Sequence, residues 1–222
     1  ALKAMLMTRA GDADVLALAD IPKPVIRDPH DLLVRVHAAG VNPLDTKIRR
    51  HHFYYPDVLP VILGCDGAGT VEAVGSAVTR FRPGDEVYYF ANGLGNAPGS
   101  YAQYGLVDER HAATKPRRLS MAEAAAIPLA LITAWEALVD RVALQSGERV
   151  LVHGAAGGVG HLATQLARFR GARVAATVSD PDKAGVARDL GAELIVRYRE
   201  EDFVAEVLRW THGCGADVVF DT

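Results

Sequence analysis

The sequence predicts an α/β protein with two parts, an irregular β domain followed by a parallel β-sheet whose strands alternate with helices. The first half contains short strands separated by turn-rich stretches such as residues 91–100. After a change of character near Ser120, apolar runs alternate with helical stretches as far as the run that begins at Asp217, which is typical of βαβ units. We expect residues 1–120 to form the first domain and residues 121–222 the second.

The segment from Asp31 to Ala38 is the clearest strand of the first part. Successive side chains of a strand point to opposite faces of a sheet, so an alternating pattern predicts one face that meets a core. Here the two alternating sets are Leu32, Val34 and Val36 against Leu33, Arg35 and His37. Pro43 lies just beyond this strand and is expected to begin a short helix.

The second part opens with a capping box, in which Ser120 is the expected N-cap residue and Glu123 follows three residues later. Two helical stretches come next, separated at Pro128. Asp180 is expected to cap a later helix, because the proline after it suits a first helical position. Strands are expected to begin at Arg149, Arg173, Leu194 and Asp217, with helices beginning at Gly158, Pro181 and Asp202.

A glycine-rich turn follows the first strand of the alternating part, in the segment RVLVHGAAGGVG from Arg149 to Gly160. The run from Val150 to Val152 predicts a buried parallel strand, and a helix is expected over Val159 to Arg168. Glycines let the backbone approach a pyrophosphate, and the helix N-terminus directs free N–H groups at phosphate oxygens. The predicted contacts are Ala156, Gly157, Gly158, Val159 and Gly160.

The order of elements around this turn strengthens the prediction. Ala155 stands where the G-x-G-x-x-G pattern has its first glycine, which weakens the motif. A second apolar run, from Arg173 to Val178, nevertheless follows the helix, so strand, turn, helix and strand come in the required order within about thirty residues. The sequence therefore predicts a dinucleotide site, with a glycine-rich connection in an ordinary α/β domain as the alternative.

Charge and composition exclude several classes of partner. The formal net charge is -3 and the calculated pI is near 6.3, which gives no reason to expect nucleic acid or an anionic membrane. Two cysteines, Cys65 and Cys214, are too few for a disulfide framework. No apolar run reaches the roughly 18 residues of a membrane span. We expect a soluble cytoplasmic protein with no membrane or nucleic-acid partner.

The predicted parallel sheet has four strands, whereas a complete doubly wound dinucleotide fold has about six. The last predicted strand ends within the segment that runs from Asp217 to Thr222. We expect the sheet to be incomplete at the C-terminus of this sequence, because a bare sheet edge is prone to aggregation.

Besides the glycine turn, several other segments of the sequence match the pattern of a known family. They are AAGVNPLDTKIRR from Ala38, LPVILGCDGAGTVEAVG from Leu59, PGDEVYYF from Pro83, GSYAQYGLVD from Gly99 and IPLALITAWEAL from Ile127. With these segments the sequence resembles the medium-chain dehydrogenase/reductase superfamily, and within it the zinc-independent quinone oxidoreductases that are similar to zeta-crystallin. The resemblance implies a GroES-like β domain followed by a Rossmann domain.

The resemblance also bears on zinc. Zinc-dependent relatives hold the catalytic ion with two cysteines and a histidine, and the matching positions here are Asn42, Cys65 and Leu129. One thiol among three positions does not make a zinc site, since zinc prefers thiolate and imidazole ligands. The four-cysteine structural zinc loop of those relatives is absent too, and residues 91–100 take its place. We therefore expect no zinc.

The choice between NADH and NADPH depends on residues near the end of the second parallel strand. Val178 stands about where an NAD-binding enzyme has a carboxylate for the ribose 2′-OH. Ser179, Lys183 and Tyr198 match positions that hold the 2′-phosphate in quinone oxidoreductase relatives, and a lysine with a hydroxyl suits a phosphate. NADPH is therefore the expected cofactor, although Asp180 and Asp182 can neutralise Lys183. Thr133 matches a threonine near the nicotinamide.

The resemblance implies hydride transfer from NADPH to a quinone or an α,β-unsaturated carbonyl, with protein donors for the oxygen that gains charge. The candidate catalytic residues are Asn42, Lys47 and Tyr54, and Asn42 is also a candidate cofactor-binding residue that contacts the nicotinamide end or the substrate oxygen. Lys47 replaces a tyrosine of some relatives, and Tyr54 can equally be an aromatic loop residue that covers the first domain. Two alternatives stay open, an enoyl-thioester reductase and a catalytically inactive NADPH-binding or structural, crystallin-type protein. Relatives commonly pair, so the full-length protein is expected to be a homodimer.

Overall fold

A computed structural model describes residues 1–51, 59–91, 93 and 97–221. The chain divides into two compact units, Ala1–Leu129 and Ala130–Thr222. The division falls after Leu129 rather than after Ser120, because the short helix that follows Ser120 belongs to the first unit. Ala124 and Ala125 of that helix are buried in one cluster with Ala68 of a first-unit strand.

The first unit consists mainly of antiparallel β-structure. Its strands are β1 (Leu2–Met7), β2 (Leu16–Ile21), β3 (Asp31–Ala39), β4 (Val61–Ile62), β5 (Asp66–Val74), β6 (Glu86–Phe90), β7 (Tyr104–Asp108) and β8 (Ala112–Thr114), and its helices are α1 (Pro43–His51) and α2 (Met121–Ala125). Single turns of 3-10 helix cover Ala13–Val15 and Glu109–His111. The strands form a three-stranded sheet in the order β2-β1-β4 and a five-stranded sheet in the order β7-β3-β5-β6-β8.

Strand β3 confirms the alternating pattern, with one departure. Leu32 and Val34 are buried in the core of the five-stranded sheet, while Arg35 and His37 are exposed. Leu33 is buried as well, next to a register shift in the pairing of β3 with β5. The alternation continues after Leu33, since Val34 is buried, Arg35 exposed, Val36 half-buried and His37 exposed. Helix α1 begins at the expected proline.

The second unit is a parallel sheet with helices between its strands, as the alternation predicts. Helix α3 (Pro128–Trp135) and a π-helical stretch (Glu136–Arg141) lead into β9 (Arg149–Val152), α4 (Gly160–Phe169), β10 (Arg173–Val178), α5 (Pro181–Asp189), β11 (Leu194–Arg197), α6 (Phe203–Trp210) and β12 (Val218–Phe220). The strand order is β11-β10-β9-β12, and all three pairings are parallel. This is the third-second-first-fourth order found in the Rossmann fold.

Helix starts in the structure follow the capping residues of the sequence. Ser120 and Glu123 form the expected capping box, in which each side chain bonds the backbone N–H of the other residue. Asp180 accepts a hydrogen bond from the backbone N–H of Lys183, with Pro181 in the first turn of α5. These bonds satisfy N–H groups that a helix start leaves without a backbone partner.

Each unit buries its own apolar core. In the second unit, β9 and β10 contribute Val150, Val152, Val174 and Ala176, which pack with Leu166 of α4.

The helices of the described residues include none that is both long and apolar enough to cross a membrane.

Candidate functional site

The glycine-rich turn of the second unit is held in place by a buried threonine on the neighbouring strand. Thr177 of β10 accepts a hydrogen bond from the backbone N–H of Ala155 at 3.1 Å through its carbonyl oxygen. Its hydroxyl oxygen lies 3.3 Å from the Gly154 nitrogen and 3.0 Å from His153 Nδ1. Gly154 has φ of +60°, a conformation in which glycine is favoured. Thr177 therefore fixes the path of the chain immediately after β9.

Gly160 is required by close packing within the turn. A Cβ atom at Gly160 would lie 2.2 Å from the Gly154 carbonyl oxygen, which is far inside van der Waals contact. A Cβ at Gly158, in contrast, would meet no atom of the described chain within 4 Å. The two glycines thus have different uses: Gly160 lets helix and turn approach each other, and Gly158 leaves open space on the exposed side.

Helix α4 presents its N-terminus without a side-chain cap. Its N-cap residue is Val159, whose side chain cannot accept a hydrogen bond. A helix start carries N–H groups without intrahelical partners and the positive end of the helix dipole, so it attracts anions. The turn also follows β9 where the strand order reverses, since β10 lies on one side of β9 and β12 on the other. Ligands of open parallel sheets bind at that position.

The residues expected at the adenosine end lie together beyond β10. Lys183 Nζ donates to Ser179 Oγ at 2.8 Å. The backbone N–H of Tyr198 donates to the Val178 carbonyl oxygen at 3.2 Å, which brings the residue after β11 beside the end of β10. Ser179, Lys183 and the backbone of Tyr198 thus lie near the carboxyl end of β10, and their role in binding a cofactor stays a prediction.

Asp180 takes part in the same group of side chains. Ser179 Oγ donates to Asp180 Oδ2 at 2.7 Å, and Lys183 Nζ lies 3.3 Å from the same oxygen. Hydrogen bonds from the Lys183 backbone N–H and the Ser179 hydroxyl lower the pKa of the Asp180 carboxyl to about 2. The group is thus a carboxylate at neutral pH and neutralises the lysine.

In the first unit, Asn42 is held by a buried carboxylate. Asn42 Nδ2 donates to Asp66 Oδ2 at 2.9 Å, and Asp66 has no exposed surface. Asp45, in the first turn of α1, accepts a hydrogen bond from the Asn42 backbone N–H at 2.7 Å. Asn42 is thus held at its backbone by Asp45 and at its side chain by Asp66.

Asp66 also accepts a hydrogen bond from Leu129, the third position that matches a zinc ligand of the relatives. The backbone N–H of Leu129 donates to both Asp66 oxygens, at 3.0 and 3.2 Å. Burial raises the pKa of Asp66 to about 6, although the hydrogen bonds from Asn42 and Leu129 oppose this rise. One carboxylate therefore connects Asn42 with Leu129.

Cys65, the remaining matching position, is a buried thiol beside a carboxylate. Its Sγ lies 3.9 Å from Asp45 Oδ1. Burial, with the charges of Asp45 and Asp66, raises the pKa of Cys65 to about 12. Tyr101 donates to Asp45 Oδ2 at 3.1 Å, and burial raises the pKa of Asp45 as well. The cysteine is thus a protonated thiol within a hydrogen-bonded cluster at neutral pH.

Three further predicted site residues are Lys47, Thr133 and Tyr54. Lys47 is exposed on α1, and Thr133 is exposed on α3 in the second unit. Tyr54 lies outside the described residues. Among the residues that the structure describes, no three histidine, cysteine or acidic side chains are grouped so that they could hold a metal ion.

Sequence reasoning missed Asp66 and Thr177. The signal for Asp66 was present, because an acidic residue stands inside the apolar segment LPVILGCDGAGTVEAVG, and a buried charge needs partners. Thr177 carried no such signal, since a threonine in a strand is common.

Comparison with known proteins agrees with this architecture. A family model described as alcohol dehydrogenase GroES-like domain matches residues 28–117, and one described as zinc-binding dehydrogenase matches residues 158–222. The chain is 33% identical over 221 residues to the quinone oxidoreductase of Homo sapiens, a match that covers 99% of this chain and 66% of the human protein. The chain belongs to the quinone oxidoreductase-like medium-chain dehydrogenases/reductases. The expected family, with its GroES-like and Rossmann-type parts, is confirmed.

Two further members of this superfamily extend the comparison. The 2-methylene-furan-3-one reductase of Solanum lycopersicum is 42% identical over 210 residues, which cover 91% of this chain and 53% of that protein. The structure of Escherichia coli quinone oxidoreductase complexed with NADPH superposes with a TM-score of 0.85 at 33% identity, covering 99% of this chain and 66% of that one. The chain thus spans about two thirds or less of the length of these relatives.

Proposed function

We propose that this chain carries the cofactor-binding and substrate-binding residues of an NADPH-dependent oxidoreductase that reduces a quinone or an α,β-unsaturated carbonyl without zinc. The observation that carries the proposal is the glycine turn, which packs closely at Gly160, has open space at Gly158 and leads into a helix without a side-chain cap. The names of the relatives, quinone oxidoreductase and 2-methylene-furan-3-one reductase, support the two acceptor classes.

In this proposal the second unit binds the cofactor. Backbone groups of residues 156–160 hold the pyrophosphate, because a helix start offers N–H donors and a positive dipole end. Ser179, Lys183 and Tyr198 hold the adenosine ribose and its 2′-phosphate, and Thr133 lies near the nicotinamide. The bound cofactor supplies the hydride. The residues present fit this group, since a lysine and a hydroxyl meet at the edge of the sheet.

The first unit supplies the donor to the acceptor in this proposal. An asparagine amide has two N–H groups, and one of those on Asn42 already donates to Asp66. The second N–H can stabilise the oxygen that gains negative charge, because Asp66 fixes which end of the amide carries the donors. Asp66 is a positioning residue, and Lys47 and Tyr54 remain candidate donors.

Zinc does not fit the residues at the matching positions. The Asn42 side chain and the Leu129 backbone N–H are both hydrogen-bond donors to one carboxylate. Of the three matching positions, Cys65 alone carries a side chain that zinc prefers. We therefore derive no step that uses a metal. The low cysteine content favours a reduced, cytoplasmic setting, and the family resemblance favours a homodimer of the full-length protein.

The test is turnover with acceptors from each class. The full chain is incubated with NADPH and a chelator, and the loss of NADPH absorbance is followed with a simple quinone, a small enone and an enoyl thioester. We expect turnover of the quinone or the enone. Activity that depends on added zinc would contradict the proposal.

The acceptors also separate the alternatives. Turnover of the thioester alone would favour an enoyl-thioester reductase. NADPH binding without turnover of any acceptor would favour a catalytically inactive binding protein or a structural one.

A further inference from the structure

We infer that Asp180 weakens the preference of the adenosine subsite for a 2′-phosphate, so that this chain binds NADH as well as NADPH. The inference rests on the proposed function, because it concerns the cofactor site of the second unit. It adds a residue that sets cofactor selectivity within that site.

The cation and the hydroxyl that a 2′-phosphate needs are already engaged by Asp180. Its Oδ2 accepts a hydrogen bond from Ser179 Oγ at 2.7 Å and lies 3.3 Å from Lys183 Nζ. Lys183 Nζ in turn donates to Ser179 Oγ at 2.8 Å. The three side chains thus form a closed group of one carboxylate, one ammonium and one hydroxyl.

A phosphate and a ribose hydroxyl meet this group differently. A phosphate monoester carries about -1.5 to -2 charge near pH 7 and offers acceptor oxygens. It must compete with Asp180 for the Lys183 ammonium and is repelled by the same carboxylate. A ribose 2′-OH is uncharged and can both donate and accept, so it can donate to the Asp180 carboxylate while it accepts from Lys183. Asp180 therefore favours the hydroxyl over the phosphate.

Arg197, a cation on the neighbouring strand β11, does not compensate for Asp180. Arg197 pairs with Val178 in the register of β10 and β11, which brings it to the same edge of the sheet. Its guanidinium, however, lies 2.9 Å from Glu200 Oε2 and 4.0 Å from Glu201 Oε2. This guanidinium is thus itself paired with carboxylates. The lowered pKa of Asp180, about 2, keeps its carboxylate charged at every pH at which the cofactor is used.

Asp180 also caps α5, and this structural role must be separated from the electrostatic one. Its Oδ1 accepts from the Lys183 backbone N–H at 2.9 Å. Asparagine and serine serve equally well as N-cap residues, so Asp180→Asn and Asp180→Ser keep the cap and remove the charge. Asp182 lies two residues further on the exposed side of α5, so Asp182→Asn is the matched control for loss of one negative charge.

The experiment measures binding rather than turnover. Dissociation constants for NADPH, NADH, adenosine 2′,5′-bisphosphate and 5′-AMP are determined by titration at low salt for the wild-type chain and the three variants. We expect wild type to bind NADH and NADPH within about tenfold of each other. In Asp180→Asn and Asp180→Ser, the ratio of the NADH to the NADPH dissociation constant rises about fivefold, as expected for loss of an exposed charge pair.

The outcomes separate failure of the inference from failure of the proposed function. Asp182→Asn changes the ratio less than twofold. An unchanged ratio of the NADH to the NADPH dissociation constant in both Asp180 variants would overturn the inference, and so would an equal rise in Asp182→Asn. In either case, NADPH binding by wild type would leave the proposed function standing. If wild type binds neither NADPH nor NADH, the proposed function itself fails. Preference of wild type for NADPH by a hundredfold or more would also overturn the inference.

Discussion

At the scale of single residues, Asp66 is the side chain on which the first-unit site depends. Its carboxyl group is fully buried and accepts hydrogen bonds from Asn42 and from the Leu129 backbone N–H. Burial of a charge is costly unless hydrogen bonds compensate it. Here the compensation is partial, because the pKa of Asp66 still rises to about 6.

The raised pKa predicts how stability changes with pH. The folded carboxyl group binds its proton more tightly than the unfolded one, whose pKa is near 3.8. Its stabilising contribution is therefore fully present below about pH 4 and is lost as the pH rises through about 6. We expect the free energy of unfolding of wild type, relative to Asp66→Asn, to fall by about 2–3 kcal/mol between about pH 4 and 7.

Denaturant unfolding of both proteins across this range measures the difference. Other titrating groups, including the neighbouring Asp45, are present in both proteins and largely cancel. A difference that stays constant or increases with pH would show that the Asp66 carboxyl is not shifted upwards.

The prediction for Asn42 concerns the rate of catalysis rather than stability. Removal of a single hydrogen-bond donor to a developing oxyanion lowers kcat by about 10²–10³-fold. We expect Asn42→Ala to lower kcat for the quinone or enone towards this range. The dissociation constant for NADPH should stay within about threefold, because the pyrophosphate and adenosine contacts that we propose lie in the second unit. Steady-state kinetics with a parallel binding titration measure both quantities. A loss of NADPH binding with unchanged kcat would instead assign Asn42 to the cofactor.

At the scale of elements, the turn between β9 and α4 shows how neighbouring glycines differ in their physical role. Gly160 is fixed by the backbone of Gly154, which leaves no room for a Cβ atom. Gly158 is exposed and has no such neighbour in the described chain. The sequence motif marks both positions in the same way, and the packing of the turn distinguishes them.

Alanine at each position is expected to give a different result. Gly160→Ala places its Cβ against the Gly154 carbonyl and should lower the free energy of unfolding by about 1–3 kcal/mol. Gly158→Ala should change stability by less than about 0.5 kcal/mol but weaken NADPH binding, because the added methyl group occupies the open space that the pyrophosphate needs. Thermal unfolding and a binding titration test the pair. Equal destabilisation by both substitutions would contradict the assignment.

At the scale of the whole molecule, the chain consists of two units, each with its own buried core. The antiparallel sheets of the first unit hold Asn42, Asp45 and Asp66 in one hydrogen-bonded cluster. The parallel sheet of the second unit places the glycine turn at the reversal of strand order and the lysine–aspartate pair at its edge. The chemistry proposed for the protein is thus divided between units of different architecture.

Elements whose signals lie within a few residues are predictable from the sequence. Strand β10 begins and ends as predicted, α5 begins at Pro181 behind the Asp180 cap, and the capping box of Ser120 and Glu123 forms as expected. These features depend on residues within one or two turns of each other, so periodicity and capping chemistry suffice to predict them.

Which side chains form hydrogen bonds and ion pairs with one another depends on the tertiary structure. Asn42 and Leu129 are far apart in sequence, and both donate to Asp66 because folding brings a buried carboxylate between them. The sequence predicted Lys183 as a phosphate ligand, and the structure shows its ammonium already paired with Asp180. Contacts of this kind depend on strand register and burial, which no local pattern encodes. For that reason, the sequence predicted the kind of site, and the fold determined its charges and hydrogen bonds.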